Sequence, residues 1–168
     1  MTLNSLAKQL VNALGSRTVA TAESLTGGLV GATITSVPGA SVVYRGGVVT
    51  YASDLKASML DIPSSTMAHG VVSKEVASAM AVAVAYFLNA EFGVATTGVA
   101  GPQSQEGHPP GTVYISVFRR GQQGAPESVT EKLLVPSLSA DPEQARNQIR
   151  EFTVESVLKL LLRMVTNS

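Results

Sequence analysis

The sequence predicts an α/β fold: a single domain built as a three-layer α/β/α sandwich around a mixed sheet. Three observations predict it. At 168 residues the chain has the length of one domain. Short β-branched runs alternate with stretches of helical periodicity, the pattern of a sheet covered on both faces. Hydrophobic residues reach 45%, enough for a real core, while charged residues are only 14%, well below the roughly 25% of ordinary domains.

The elements follow in order. Leu3, Leu6, Ala7, Leu10, Val11 and Leu14 keep helical spacing over 3–14, and Gly15 stands where a C-terminal cap belongs. Thr18 to Ala22 is short and β-prone, a strand; after Glu23-Ser24-Leu25-Thr26-Gly27-Gly28 a helical stretch runs to about Ser36. Val37-Pro38-Gly39-Ala40 is a turn. Val42 to Tyr51 reads as one or two strands broken at Gly46-Gly47, and 52–61 as a helix ending near Pro63. Val76, Ala79, Met80, Ala83, Val84, Phe87 and Leu88 mark a long helix over 73–90.

Phe92 to Thr97 is a strand that breaks into Gly98-Val99-Ala100-Gly101-Pro102 and a polar loop through Pro110. Thr112 to Phe118 is β-branched and aromatic, a strand. Arg119 to Gly124 reads as a hairpin turn and Val129 to Val135 as its second strand. Asp141 as N-cap, Pro142 at N1 and Gln144 at N3 open a last helix to about Val165. That helix is apolar nearly all round from Val157 to Val165, more than one buried face requires, which predicts a homo-oligomer.

Charge and composition exclude several classes. Lys plus Arg and Asp plus Glu are 12 each, and neither half of the chain is basic, which argues against nucleic-acid or membrane-surface binding through bulk electrostatics. No Cys is present, so there is no disulfide framework, thiolate metal site or cysteine nucleophile. His69 and His108 are too far apart for a zinc pattern. No apolar run reaches a membrane span and the N-terminus is amphipathic, so the expectation is an intracellular, cytoplasmic protein.

Three polar, glycine-bearing segments interrupt the apolar chain. In the first, Ser24 lies at a strand-to-helix junction where Gly27 and Gly28 let backbone N–H groups approach an anion or an oxyanion; a plain N-cap fits the same residues. The second, Arg45 to Tyr51, leads to Lys56, whose uncharged surroundings suit a desolvated lysine base, although a solvated surface lysine is the ordinary case. Asp54 is a candidate helix cap. The third is Thr97-Gly98-Val99-Ala100-Gly101-Pro102. It and the Ser24 junction both follow strands, so they can share a mouth at the carboxyl ends of an α/β sheet; a simple Gly-Pro turn is the alternative. His69-Gly70 precedes the long helix and offers a catalytic histidine, although a structural histidine is the common finding there.

Together these stretches resemble the CinA C-terminal domain family, which includes stand-alone nicotinamide mononucleotide deamidases. The likeness rests on TAESLTGGLVGATITSVPGAS (21–41), YRGGVVTYASDLKASML (44–60), HGVVSKEVASAMA (69–81), TTGVAGP (96–102), PGTVYISV (110–117) and, more weakly, QIREFTVESVL (148–158). Larger CinA proteins carry a further N-terminal domain, for which 168 residues leave no room.

The resemblance implies deamidation of nicotinamide mononucleotide to nicotinic acid mononucleotide with release of ammonia, without metal or cofactor. It implies Ser24 as nucleophile, Lys56 as base and Tyr51 nearby. Thr26, Gly27 and Gly28 are assigned by position as oxyanion donors. Glu23 either orients Lys56 or the ribose or caps a helix. Arg45, Thr97 and Arg150 are candidates for the substrate phosphate, with Gly98 and Gly101 in the loop beside it. A binding or regulatory module that keeps the pocket without turnover is the competing reading. Two departures stand out: Leu25 replaces a frequent Cys, and the loop Gln103 to Pro110 diverges from the glycine-rich family pattern.

Overall fold

The structure, a computed structural model, describes residues 2–121, 125–135 and 138–167. Its first half alternates helix and strand: α1 (Leu3–Leu14), β1 (Val19–Glu23), α2 (Leu29–Thr35), a single 3-10 turn (Ala40–Val42), β2 (Tyr44–Val49), α3 (Ser53–Leu60), α4 (Ser64–Met67) and α5 (Lys74–Phe87). β3 (Phe92–Gly98), β4 (Thr112–Arg119), β5 (Glu127–Leu134) and α6 (Pro142–Thr166) complete it. The five strands form one sheet in the order β2-β1-β3-β4-β5. β1 pairs in parallel with β2 and β3, while β4 runs antiparallel to β3, and β5 to β4.

The layers follow from strand alternation. Val19, Phe92, Val94, Val113, Ile115 and Val117 point into a core with α1, α2 and α6. Ala20, Ala22 and Ala95 meet α5 on the other face, through Val76, Met80, Ala81, Val84 and Ala85. Central strands β1 and β3 are buried on both faces, which is why their sequences show no alternation of apolar and charged residues. Small residues dominate the α5 face because that helix lies close to the sheet: a Cβ on Gly93 would stand 1.9 Å from the Ala81 carbonyl oxygen.

The three-layer α/β expectation holds, and most differences are local. β2 runs unbroken through Gly46-Gly47, since a Cβ on Gly47 would meet the Thr21 hydroxyl at 2.2 Å and the Tyr44 hydroxyl at 2.6 Å. The glycine is there for packing, not to end the strand. Val42 belongs to the 3-10 turn rather than to a strand, and α4 was not foreseen. Part of the turn expected at 119–124 lies outside the described residues; β5 begins at Glu127, two residues earlier than expected. As the antiparallel edge of the sheet, β5 is half exposed and carries Glu127, Glu131 and Lys132.

The opening of α6 matches its sequence signal, with Asp141 Oδ1 accepting the Gln144 N–H at 2.8 Å. Its apolar end does not supply the surplus from which a homo-oligomer was expected. Val157, Leu158, Leu160, Leu161, Met164 and Val165 are buried within this one chain, and Leu162 packs against the same core. Among the described residues no helix is long and apolar enough to cross a membrane.

Candidate active site

The register of the parallel strands sets the place of the site. Glu23, at the carboxyl end of β1, stands level with Val49 of β2 and Thr96 of β3. The chain leaves β1 for β2 on one side and returns to β3 on the other, so a crevice opens beyond these strand ends, where open α/β sheets bind ligands. Ser24 is held in that crevice from both sides: its N–H donates to the Thr96 carbonyl at 3.0 Å, and the Thr50 N–H donates to the Glu23 carbonyl at 2.9 Å.

The turn after Ser24 requires its glycines, because Gly27 and Gly28 have φ of 58° and 95°, a left-handed region that side chains with a Cβ disfavour. This tight turn lets Glu23 reach forward. Its buried carboxylate accepts the Thr26 hydroxyl at 2.7 Å and the N–H groups of Gly28, Val30 and Gly31 at 3.0, 3.0 and 2.8 Å. Glu23 is therefore the cap of α2, with both oxygens engaged, rather than a ribose contact or an orienter of Lys56. The Thr26 hydroxyl is likewise committed, to Glu23 and to Thr96 Oγ1.

The oxyanion assignment shifts for the same reason. The Gly27 N–H donates to the Ser24 carbonyl at 3.0 Å and the Gly28 N–H to Glu23. The backbone N–H groups of Leu25 and Thr26 have no acceptor among the described residues. Thr26 stays a candidate through its backbone; Leu25 replaces the two glycines.

Lys56 sits on the second turn of α3 and is only 1% exposed. Its Nζ stands 3.3 Å from Ser24 Oγ and donates to the Thr50 carbonyl at 2.8 Å. Burial pushes the Lys56 ammonium below its ordinary pKa, and the charges of Glu106 and Asp54 work against that shift. Asp54 does not cap α3: the N-cap position is Ala52, with no side-chain bond, and Asp54 lies in the first turn.

A cleft of about 300 Å³ opens over Ser24, lined by Tyr51, Gly98, Gly101, Gln105 and Arg146 among others. Arg146, on the first turns of α6, donates to the Gly101 carbonyl at 2.5 Å and to the Tyr51 hydroxyl at 2.6 Å. Sequence reasoning passed over it. One turn later Arg150 donates to the Thr26 carbonyl at 3.0 Å, so the last helix does fold back onto the Ser24 junction. The signal that could have found Arg146 is this i, i+4 pair of arginines on one helix face.

Three other expectations are corrected. Arg45 lies at the amino end of β2, at the far end of the sheet from Ser24, and its Nε donates to the Leu88 carbonyl at 3.2 Å. Thr97 is buried with its hydroxyl donating to the Val71 carbonyl at 2.8 Å; it ties the sheet to the segment before α5. His69 lines a separate hollow with Ser65, Thr66, Ser73 and Glu75.

The arrangement supplies a hydroxyl, a buried amine of lowered basicity, two backbone donors without an acceptor among the described residues, and the Arg146 guanidinium in the cleft, with Arg150 one turn along α6 on the Thr26 carbonyl. Those are the parts of nucleophilic attack on a carbonyl in an anionic substrate.

Comparison with known proteins shows the family and the fold. A family model described as CinA C-terminal domain matches residues 3–165. A CinA-like protein of Frankia casuarinae is 44% identical over 151 residues, which is 89% of this chain and 32% of that protein. The chain spans about a third of the length of these curated relatives, among them one from Halalkalibacterium halodurans that carries a competence-damage inducible name. The crystal structure of the competence/damage inducible protein CihA from Agrobacterium tumefaciens superposes with a TM-score of 0.86 at 31% identity, covering 96% of this chain and 94% of that one. The competence damage-inducible protein A from Klebsiella pneumoniae gives 0.86 at 25% identity, covering 99% and 98%.

Proposed function

The chain belongs to the CinA C-terminal domain family, and from that premise we propose that it is an amidohydrolase. It converts nicotinamide mononucleotide to nicotinic acid mononucleotide with release of ammonia, in the cytoplasm, with Ser24 as nucleophile and Lys56 as base. The observation that carries this reading is the contact between a buried Lys56 Nζ and Ser24 Oγ at 3.3 Å.

The neutral Lys56 amine takes the Ser24 hydroxyl proton as Oγ attacks the carboxamide carbon. The carbonyl oxygen becomes an oxyanion, met by the N–H groups of Leu25 and Thr26. Collapse of the tetrahedral species breaks the C–N bond. The Lys56 ammonium gives its proton to the departing nitrogen, which leaves as ammonia, and an ester to Ser24 remains. Lys56, neutral again, takes a proton from water as the water oxygen attacks the ester carbon. Its return to Ser24 Oγ frees the acid. Burial of Lys56 serves each step, since an ordinary lysine is almost wholly protonated at neutral pH.

Arg146 and Arg150 supply the positive charge a phosphate needs, and Tyr51, hydrogen-bonded to Arg146, fixes its direction over the cleft. A site of about 300 Å³ is at the small end for a ligand pocket, in keeping with a mononucleotide.

The test is ammonia release from nicotinamide mononucleotide by the purified protein, beside Ser24→Ala and Lys56→Ala. Each variant is expected to lose at least about 10³-fold in kcat. Activity that survives Ser24→Ala overturns the nucleophile. Nucleotide binding with no turnover in the unaltered protein supports instead a regulatory module, in line with the competence-related names of its relatives.

A further inference from the structure

We propose that Glu106 is a positioning residue for this cleft, a latch that fastens the wall formed by residues 101–105 to the segment leading into α5. The proposal rests on the amidohydrolase reading and concerns a residue in the polar loop between β3 and β4.

Gln105 and His108 exchange two backbone hydrogen bonds, 3.1 and 2.8 Å long, closing a tight two-residue hairpin. The two tip residues, Glu106 and Gly107, have φ of 52° and 77°. Such a turn needs positive φ at both positions, and Gly, Asn or Asp is the residue that suits it. A glutamate there goes against local preference, and a side chain kept in a disfavoured backbone state points to a constraint imposed from elsewhere.

The constraint is visible. Glu106 Oε2 accepts the Val71 N–H at 2.8 Å and the Val72 N–H at 3.1 Å, and Oε1 accepts the Val71 N–H at 3.1 Å. The carboxylate comes this near only because residue 70 has no side chain: a Cβ on Gly70 would stand 2.5 Å from Glu106 Oε2. The same segment is tied to the sheet from its other side, where Val71 C=O accepts the Thr97 hydroxyl. Val71 and Val72 cluster with Val99, beneath the loop. Releasing the carboxylate would therefore free the cleft wall at Gln103, Ser104 and Gln105, while β3, Ser24 and Lys56 keep their own bonds.

The experiment compares Glu106→Gly and Glu106→Gln with the unaltered protein, using three readouts. Glycine removes the latch and at the same time relieves the backbone at a position that prefers it. If Glu106 positions the wall, Glu106→Gly raises KM for nicotinamide mononucleotide by roughly tenfold; kcat, read on the plateau above the Lys56 pKa because loss of the Glu106 charge lowers that pKa further, stays within about twofold. Its Tm falls by no more than about 4 °C, because backbone relief at the glycine offsets part of the lost hydrogen bonding. Glutamine keeps one carbonyl acceptor and restores part of the KM. Hydrogen exchange at the Val71 and Val72 amides speeds up in Glu106→Gly and less in Glu106→Gln.

An unchanged KM in Glu106→Gly overturns the proposal. So does a fall in Tm that accounts for the whole activity loss, the signature of a residue that only stabilises the fold. If the unaltered protein binds the nucleotide without turnover, the amidase reading fails and the same ratio is read in Kd by calorimetry. If it neither binds nor turns over, both fail.

Discussion

Glu23→Gln separates a capping carboxylate from a substrate contact. In the folded chain Oε2 accepts three donors and Oε1 one. A glutamine can satisfy the Oε2 side with its carbonyl, which then sets its NH₂ against the Gly31 N–H. The reverse orientation sets NH₂ against the other three donors. At least one buried donor is orphaned either way, at about 1–3 kcal/mol, and the remaining bonds lose their charge assistance at up to about 1 kcal/mol each. Relief of the buried charge offsets part of this, leaving a net destabilisation of about 3 kcal/mol. At 2–4 °C per kcal/mol for a chain of this size, Tm falls by about 6–12 °C. Thermal unfolding followed by circular dichroism at neutral pH, with no substrate present, measures it. A variant that melts within about 1 °C of the unaltered protein yet loses activity refutes the reasoning and returns Glu23 to the substrate.

Two further outcomes follow from the geometry. Because Lys56 must be neutral to accept the Ser24 proton, kcat/KM rises as pH rises through the Lys56 pKa, which burial holds below the ordinary lysine value. Asp54→Asn removes an opposing charge, so the acid limb of the pH profile moves to lower pH; a shift to higher pH contradicts the assignment of Lys56 as base. Gly93→Ala sets a Cβ 1.9 Å from the Ala81 carbonyl oxygen. That forces α5 off the sheet at about 3 kcal/mol or more, and a Tm unchanged in calorimetry would show that the two layers are not as close as described.

What could be read from the sequence was what local periodicity encodes. The spacing of Val76, Met80 and Val84 marks α5, and the short β-prone stretch at 18–22 and the apolar one at 92–97 mark β1 and β3 as strands. The pairing of Ser24 with Lys56 was reached through resemblance, because no local pattern links residues 32 apart. The misses share a cause. Gly47 reads as a break until Thr21 and Tyr44 are seen beside it. Arg45 reads as a site residue because it neighbours a polar segment, yet strand direction carries it to the wrong end of the sheet. Glu23 reaches five to eight residues forward, beyond the spacing of a capping box. Arg146 became a cleft residue only when α6 was placed across Tyr51 and Gly101. Sequence periodicity fixes which face a residue shares with its neighbours; it says nothing of which distant loop that face meets.

The exposed edge strand β5 has a bearing on solubility. A molecule whose formal charge sums to zero gains no long-range repulsion to keep copies apart at neutral pH. Protection against strand-to-strand association then has to be local. Within a chain so poor in charge, β5 concentrates Glu127, Glu131 and Lys132 on the rim, and Arg119 and Arg163 anchor the two glutamates there. The ionic rim puts desolvation in the path of any copy that would extend the sheet. Few as they are, these charges make the β5 edge costly to strip of water, on a molecule whose net charge gives no long-range protection.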